Sequence, residues 1–367
     1  MSILVDRRSR ATDIMRAGGL GAVAFVPGPN LAYLTGVHLH LMERPTLYAL
    51  TAEGRSVAMM PSLERQKWDA AMPDAETIFW DDSDGPDGAF RALVDMLAAE
   101  HPLGVEGLRM RAAEYRALAQ SFGPERLVDA DPAMAALRLI KSSDEIGALR
   151  RAVAISEAAL YETLDAGIAG RSGHQIAARL KAAMLAHGAT GFAFDPIVLS
   201  GEESADPHGD VSARVLSPGD PLLIDFGASW GDMHADITRT VFCRHATDAH
   251  AQIYETVRVA NEAGRAAVCA GRTIGDVDHQ ATTVLEKSRF ADLILHKTGH
   301  GLGREVHEAP AVTRANRDPQ QAGMVFTIEP GLYRSGDIGV RIEDDVVVAD
   351  TGHECLTSFT KELMVYA

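Results

Sequence analysis

Pro221-Leu222-Leu223-Ile224-Asp225-Phe226-Gly227, and the His234-Ala235-Asp236-Ile237-Thr238-Arg239-Thr240 that follows, decide how this chain is read. Asp225 ends an apolar run of strand length, and Asp236 stands eleven residues further on. The pattern recurs downstream. Glu329 ends Met324-Val325-Phe326-Thr327-Ile328, and Glu343 lies between Gly339-Val340-Arg341-Ile342 and Val346-Val347-Val348. A carboxylate in such surroundings must be neutralised, hydrogen-bonded or bound to a cation. Four carboxylates balance two divalent cations, and the imidazole of His300 adds a ligand without adding charge. That stoichiometry suggests a two-metal centre, in which ions about 3.5 to 4 Å apart share carboxylates and a bridging hydroxide that acts as nucleophile.

Length and composition set the frame. With 367 residues, 46% of them hydrophobic, the chain has material for about two domains. Lys and Arg number 35 against 51 Asp and Glu, a net charge of −16 that offers no basic stripe for nucleic acid. Cys243, Cys269 and Cys355 have no short pair spacing and an odd count, so reduced thiols in a cytoplasmic protein are expected. The start, Met1-Ser2-Ile3-Leu4-Val5-Asp6-Arg7-Arg8, lacks a basic segment followed by an apolar core, and no uninterrupted apolar stretch has membrane-spanning length. Neither a signal peptide nor a membrane partner is expected.

Apolar runs alternate with helical patterns up to about Asp131, predicting an α/β domain over residues 1–131. Strands are expected at 20–26, 47–50, 57–60 and 76–80, with a hairpin turn over 51–55 and helices at 89–99 and 112–121. Residues 132–141 read as a linker. Ser142-Ser143-Asp144-Glu145 has the Ser-x-x-Glu spacing of a capping box, so a second domain is expected over 142–367. Further helices are expected at 173–187, 249–270 and 274–288, before a strand-rich end over 323–366.

Asp225-Phe226-Gly227 with His234 to Thr240, Gly299-His300-Gly301-Leu302-Gly303 with His307-Glu308-Ala309-Pro310, Gly323 to Gly331 and Gly339 to Asp344 together resemble the pita-bread metallopeptidases. Within them the chain is similar to the Xaa-Pro group, the prolidases and aminopeptidase P, over residues 142–367. The N-terminal half resembles the smaller creatinase-type domain that precedes the pita-bread domain there. The resemblance implies a homodimeric hydrolase acting on the bond before proline in a peptide substrate. Asp225 would hold a first metal, Asp236 and Glu343 would bridge, and His300 and Glu329 would hold a second. Oxygen-rich ligation with one histidine suits manganese, while cobalt, zinc or iron compete for such a site. Glu329 would also carry the proton of the attacking water towards the leaving nitrogen.

His208 and His307 fall where the Xaa-Pro enzymes keep substrate-facing histidines. His234, His245, His250, His279, His296 and His353 read as structural. Arg341, two residues before Glu343, is expected to support that carboxylate or meet substrate, and Arg239 to make a structural ion pair. The polar stretch Val37-His38-Leu39-His40-Leu41-Met42-Glu43-Arg44 suggests a lid whose His38, His40 or Arg44 would contact substrate in trans in a dimer.

One departure bears on substrate. Many prolidases carry an Arg just after this His-Glu-x-Pro segment, where Ala311 stands here; Arg304 and Arg314 are alternatives. The fold also hosts creatinase, ectoine hydrolase and dimethylsulfoniopropionate lyase, so a non-peptidase stays an alternative, although the lyase pattern has an acidic residue where this chain has Gly227. A catalytically silent, metal-stabilised binding protein is the alternative of another class.

Overall fold

The computed structural model describes residues 3–97 and 101–367, which divide into two compact units, Met1–Arg138 and Leu139–Ala367. The first unit is built on a mixed six-stranded sheet. Its strands run in the order Glu76–Trp80, Ser56–Pro61, Leu47–Thr51, Ala22–Phe25, Leu103–Val105 and Leu127–Asp129. The strand sequences are continuously apolar because helices cover both faces. Val23, Phe25, Tyr48 and Leu50 pack with Met15, Leu31 and Trp68, whereas the alternate residues Ala22, Ala24, Leu47 and Ala49 pack with Phe90, Leu93 and Leu118.

Among the described residues, four helices of this unit escape a periodicity reading, the short Arg65–Ala71 among them. Ile3–Ala17 buries only Ala11, Thr12 and Met15 of a largely charged sequence, and Pro29–Thr35 is a short helix closed by Gly36 at φ 74°. Asp131–Leu139 is helical through most of the stretch read as a linker. The helix expected over 89–99 runs Asp87–Leu97, its last positions lying outside the described residues.

The second unit opens on the helix Ser143–Asp165, where Ser142 and Glu145 form the reciprocal capping box. This helix and Gly173–Ala186 pack on a four-stranded sheet ordered Val365–Tyr366, Ile237–Cys243, Pro221–Phe226 and Ile197–Ser200. Asp248–Ala266 and Ile274–Glu286 pack on each other. Val277 of the latter meets Phe326 and Val346 of a five-stranded sheet, ordered Glu308–Val312, Gly299–Gly301, Val325–Ile328, Asp344–Val348 and His353–Cys355. Each sheet buries its apolar residues under helices and carries ionisable residues at strand ends. Among the described residues no helix is long and apolar enough to cross a membrane.

Candidate metal centre

Asp225 and Asp236 approach through a tight backbone crossing. Asp225 lies opposite Thr238 in the antiparallel pair of Pro221–Phe226 with Ile237–Cys243. At the crossing, a Cβ on Gly227 would stand 1.7 Å from the carbonyl oxygen of Ala235, so only glycine fits. The same reason accounts for the glycines around His300. A Cβ on Gly299 or Gly301 would meet the carbonyl oxygen of Thr327 or Ala309 at 2.1 Å. The Asp236 amide donates to Asp345 Oδ2 at 3.1 Å, which holds the start of the next strand.

Ligand-type atoms of Asp236, His300 and Glu343 lie within 4.8 Å of one another, and all three residues are buried. His300 Nε2 stands 3.3 Å from Glu329 Oε1 and 3.6 Å from Asp236 Oδ2. Its other ring nitrogen faces the Gly301 carbonyl at 3.1 Å. A carbonyl only accepts, so Nδ1 carries the hydrogen and Nε2 turns its lone pair towards the carboxylates. The Glu329 amide donates to the Thr298 carbonyl at 2.7 Å, tying that residue's backbone to the segment leading into His300.

Thr238 links the two sheets. Its hydroxyl donates to Glu343 Oε2 at 2.6 Å and accepts from Arg341 Nε at 3.1 Å, while the Glu343 amide donates to its carbonyl at 3.1 Å. Arg341 then reaches Asp225: Nη2 donates to Asp225 Oδ2, and Nη1 donates to Tyr333 Oη at 2.9 Å. The arginine expected to support Glu343 or meet substrate thus reaches Asp225 directly and Glu343 through the Thr238 hydroxyl. A directed chain continues outward, because His296 Nδ1 faces the Lys297 carbonyl at 2.7 Å and must donate, leaving Nε2 to accept from the Tyr333 hydroxyl at 2.8 Å.

Such packing is electrostatically unfavourable in the protein alone. Burial raises the Asp236 carboxyl well above its ordinary range, and the charges of Glu343 and Asp225 add to that. Burial also raises Glu343 well above its range, with Glu329 and Asp225 contributing. Glu329 is pushed up to about 8 by burial, against the pull of Arg341. His300 is pushed down to about 3 by burial, with His307 adding to the effect, so its imidazole is neutral. Asp225 Oδ1 is buried with no hydrogen-bond partner among the described residues. An unpaired carboxylate oxygen, crowded buried acids and a neutral imidazole with its lone pair turned inward form a donor set that fits divalent cations.

The profile of metallopeptidase family M24 matches residues 147–350, and that of the creatinase/prolidase N-terminal domain matches residues 7–140. The chain belongs to metallopeptidase family M24. Its second unit has the pita-bread fold and the first the creatinase-type α/β fold. A prolidase from Thermococcus sibiricus superposes with a TM-score of 0.94 at 31% identity, over 100% of this chain and 99% of that one. Dipeptidase PepE of Mycobacterium ulcerans gives 0.92 at 32%, over 100% and 98%. The X-Pro aminopeptidase of Thermotoga maritima gives 0.84 at 29%, over 98% and 99%. This M24 member is thus a metallopeptidase that acts on peptides with divalent metal.

The other residues singled out by sequence are distributed unevenly. His307 packs edge-on against His300, ring centroids 4.0 Å apart. Burial, then the charge of Lys297, lowers its pKa. His208 is exposed on the loop after Gly201–Ala205, and its charge acts on both His296 and His307. Arg239 pairs with Asp344 at 2.8 Å, both fully buried. His38, His40 and Arg44 lie in the unit Met1–Arg138. There Arg44 donates to both oxygens of Asp82 at 2.8 and 2.7 Å, Arg111 donates to the Met42 carbonyl, and Lys67 donates to the His38 carbonyl. The Arg44 guanidinium is thus paired with Asp82 at the surface of its own unit. The sequence offered no role for Thr238, Tyr333 or Asp345, and His296 reads there as structural. The strand parity of Asp236 and Thr238 was the one available signal among them.

Proposed function

We propose that this M24 metallopeptidase hydrolyses the peptide bond before proline, as an Xaa-Pro dipeptidase or aminopeptidase, with two divalent cations, manganese foremost. The observation that carries the reading is the convergence of Asp236, His300 and Glu343, with Glu329 at 3.3 Å from His300, in a chain of this family. Asp225, Asp236, His300, Glu329 and Glu343 would hold the metal. When bound, divalent cations make water acidic enough to attack at neutral pH and polarise the scissile carbonyl. Glu329 then takes the proton of the attacking water and delivers it to the proline nitrogen as the C–N bond breaks. His208 and His307 donate to the substrate carbonyl and the carboxyl side of the peptide. The free thiols Cys243, Cys269 and Cys355 fit a reducing, cytoplasmic setting, and the assembly we assign is a homodimer.

Among substrates, the surroundings favour one with a free carboxylate close to proline. Arg304 is occupied by Glu145 and Asp232, and Arg314 by Glu286 at 3.1 Å. Lys297 is exposed, pairs with no carboxylate among the described residues, and its charge acts on His300, His307 and Glu329. It is the cation we assign to that carboxylate. The test is to strip the protein with chelator, restore manganese or cobalt, and assay Ala-Pro beside a longer Xaa-Pro peptide. Turnover of either supports the reading, and metal uptake with turnover of neither overturns it.

A further inference from the structure

His307 sits on residues 303–308, a loop whose exposed histidine needs a fixed place beside His300. Glu308 Oε1 lies 2.8 Å from Lys141 Nζ, and the two side chains are 4% and 2% exposed. Glu308 Oε2 accepts from the Glu305 amide at 3.3 Å, so one carboxylate ties the loop to itself and to Lys141. Gly303 is threaded against this pair, because a Cβ there would stand 2.5 Å from Glu308 Oε1 and 3.0 Å from Lys141 Cε. The Gly303 carbonyl accepts from the His234 amide at 2.9 Å.

Lys141 is itself anchored to the five-stranded sheet that carries His300. Its amide donates to the Gly323 carbonyl at 2.9 Å, and its neighbour Ile140 bridges Met324 at the entrance to Val325–Ile328. A second tie runs parallel to the first. Arg304 reaches Glu145 at 3.4 Å, and Glu145 is the capping-box acid of Ser143–Asp165. The segment 141–145 thus holds both ends of the His307 loop by charge.

A buried ion pair is a poor device for stability alone, since an apolar pair of similar volume commonly serves as well or better. What the ammonium and carboxylate add is a fixed separation, 2.8 Å between Nζ and Oε1. Catalytic groups displaced by about 1 Å lose much of their effect. We propose that Lys141, acting through Glu308, is a positioning residue that sets the His307 loop beside His300 for its work on substrate. The proposal rests on the reading of His307 as substrate-facing.

The test compares wild type, Lys141→Met and the double variant Lys141→Met/Glu308→Leu as full-length, manganese-loaded protein. Lys141→Met removes the ammonium beside a buried carboxylate and is expected to lose stability as well as rate. The double variant removes both charges, so it is expected to keep its thermal midpoint and metal content while kcat falls by about 10- to 100-fold. In the metal-free double variant the His307 ring resonances are expected to move in histidine-selective NMR. Wild-type kcat in the double variant, with unmoved His307 resonances, overturns the proposal. So does a fall in kcat matched by loss of metal, which means collapse of the site. If wild type cleaves no Xaa-Pro peptide, the functional reading fails while the NMR comparison still decides whether the pair positions the loop.

Discussion

Arg341 donates from Nη2 to Asp225 Oδ2, and from Nε to the Thr238 hydroxyl that in turn donates to Glu343. One guanidinium thereby orients two of the four site carboxylates, one directly and one through a hydroxyl. Arg341→Met removes the charge that compensates Asp225 and frees Tyr333 from its donor. Loss of such an outer contact lowers metal affinity or activity by about 10- to 100-fold. Manganese titration by calorimetry together with kcat/KM measures it, and wild-type values for both would refute the role.

Asp236→Asn tests the centre itself. The substitution keeps the shape and the backbone bond to Asp345 but withdraws one negative charge from a cluster in which Asp236 is buried beside His300 and Glu343. Bound metal and turnover are expected to fall together. In the wild type, added manganese raises the thermal midpoint in proportion to the logarithm of its concentration, because it binds the folded state. The variant should show a weaker dependence. Unchanged metal content measured by plasma spectrometry would count decisively against the assignment.

How far the sequence carried the argument differs between the two levels. The strands 47–50, 57–60 and 76–80 and the capping box at Ser142 were legible because apolar runs and a Ser-x-x-Glu spacing are local signals. The helix Ile3–Ala17 was not, because it buries three residues and its remaining periodicity is hidden under charge. At the site, the carboxylates stood out as ionisable groups in apolar strands, and the glycines beside them mark close backbone crossings. Partner choice was not readable. That Arg341 pairs with Asp225 and reaches Glu343 through Thr238 depends on how two hairpins meet, and Tyr333 becomes visible only when residues from distant segments share one hydrogen-bond chain.

Glu106 gives the first unit a pH-dependent stability. Its carboxylate accepts from the Val26 amide at 2.8 Å and from Asn30 Nδ2 at 3.0 Å, yet burial raises it from 4.5 to about 7. The folded state therefore binds a proton that the unfolded state releases between about pH 4.5 and pH 7. Stability from this group is greatest below that window and is lost as pH rises through it, by roughly 3 kcal/mol in all. Glu106→Gln stays neutral throughout. Asn30 Oδ1, buried with no partner, can accept from the new amide if the Asn30 side chain turns over. Urea midpoints at pH 5 and pH 8 should show the variant gaining on wild type at the higher pH, and an identical difference at both would dispose of the assignment.

Lys297 bears on substrate choice. Its backbone lies between His296, which receives the Tyr333 hydroxyl, and Thr298, whose carbonyl accepts from the Glu329 amide and whose own amide donates to Asp278 Oδ1 at 3.0 Å. The segment is thus fixed, while the ammonium is exposed. In an Xaa-Pro dipeptide the free carboxylate is proline's own, where a cation at the rim can meet it; a longer peptide carries a neutral amide there. Lys297→Ala is expected to raise KM for Ala-Pro by about tenfold, the worth of one exposed charge-assisted contact, and to leave kcat and the KM for a tripeptide amide nearly unchanged. A split in KM between the two substrates is the signature of carboxylate recognition. Equal changes for both would mean that Lys297 acts only on the field around Glu329 and His307, and that the preference for a free carboxylate is set elsewhere.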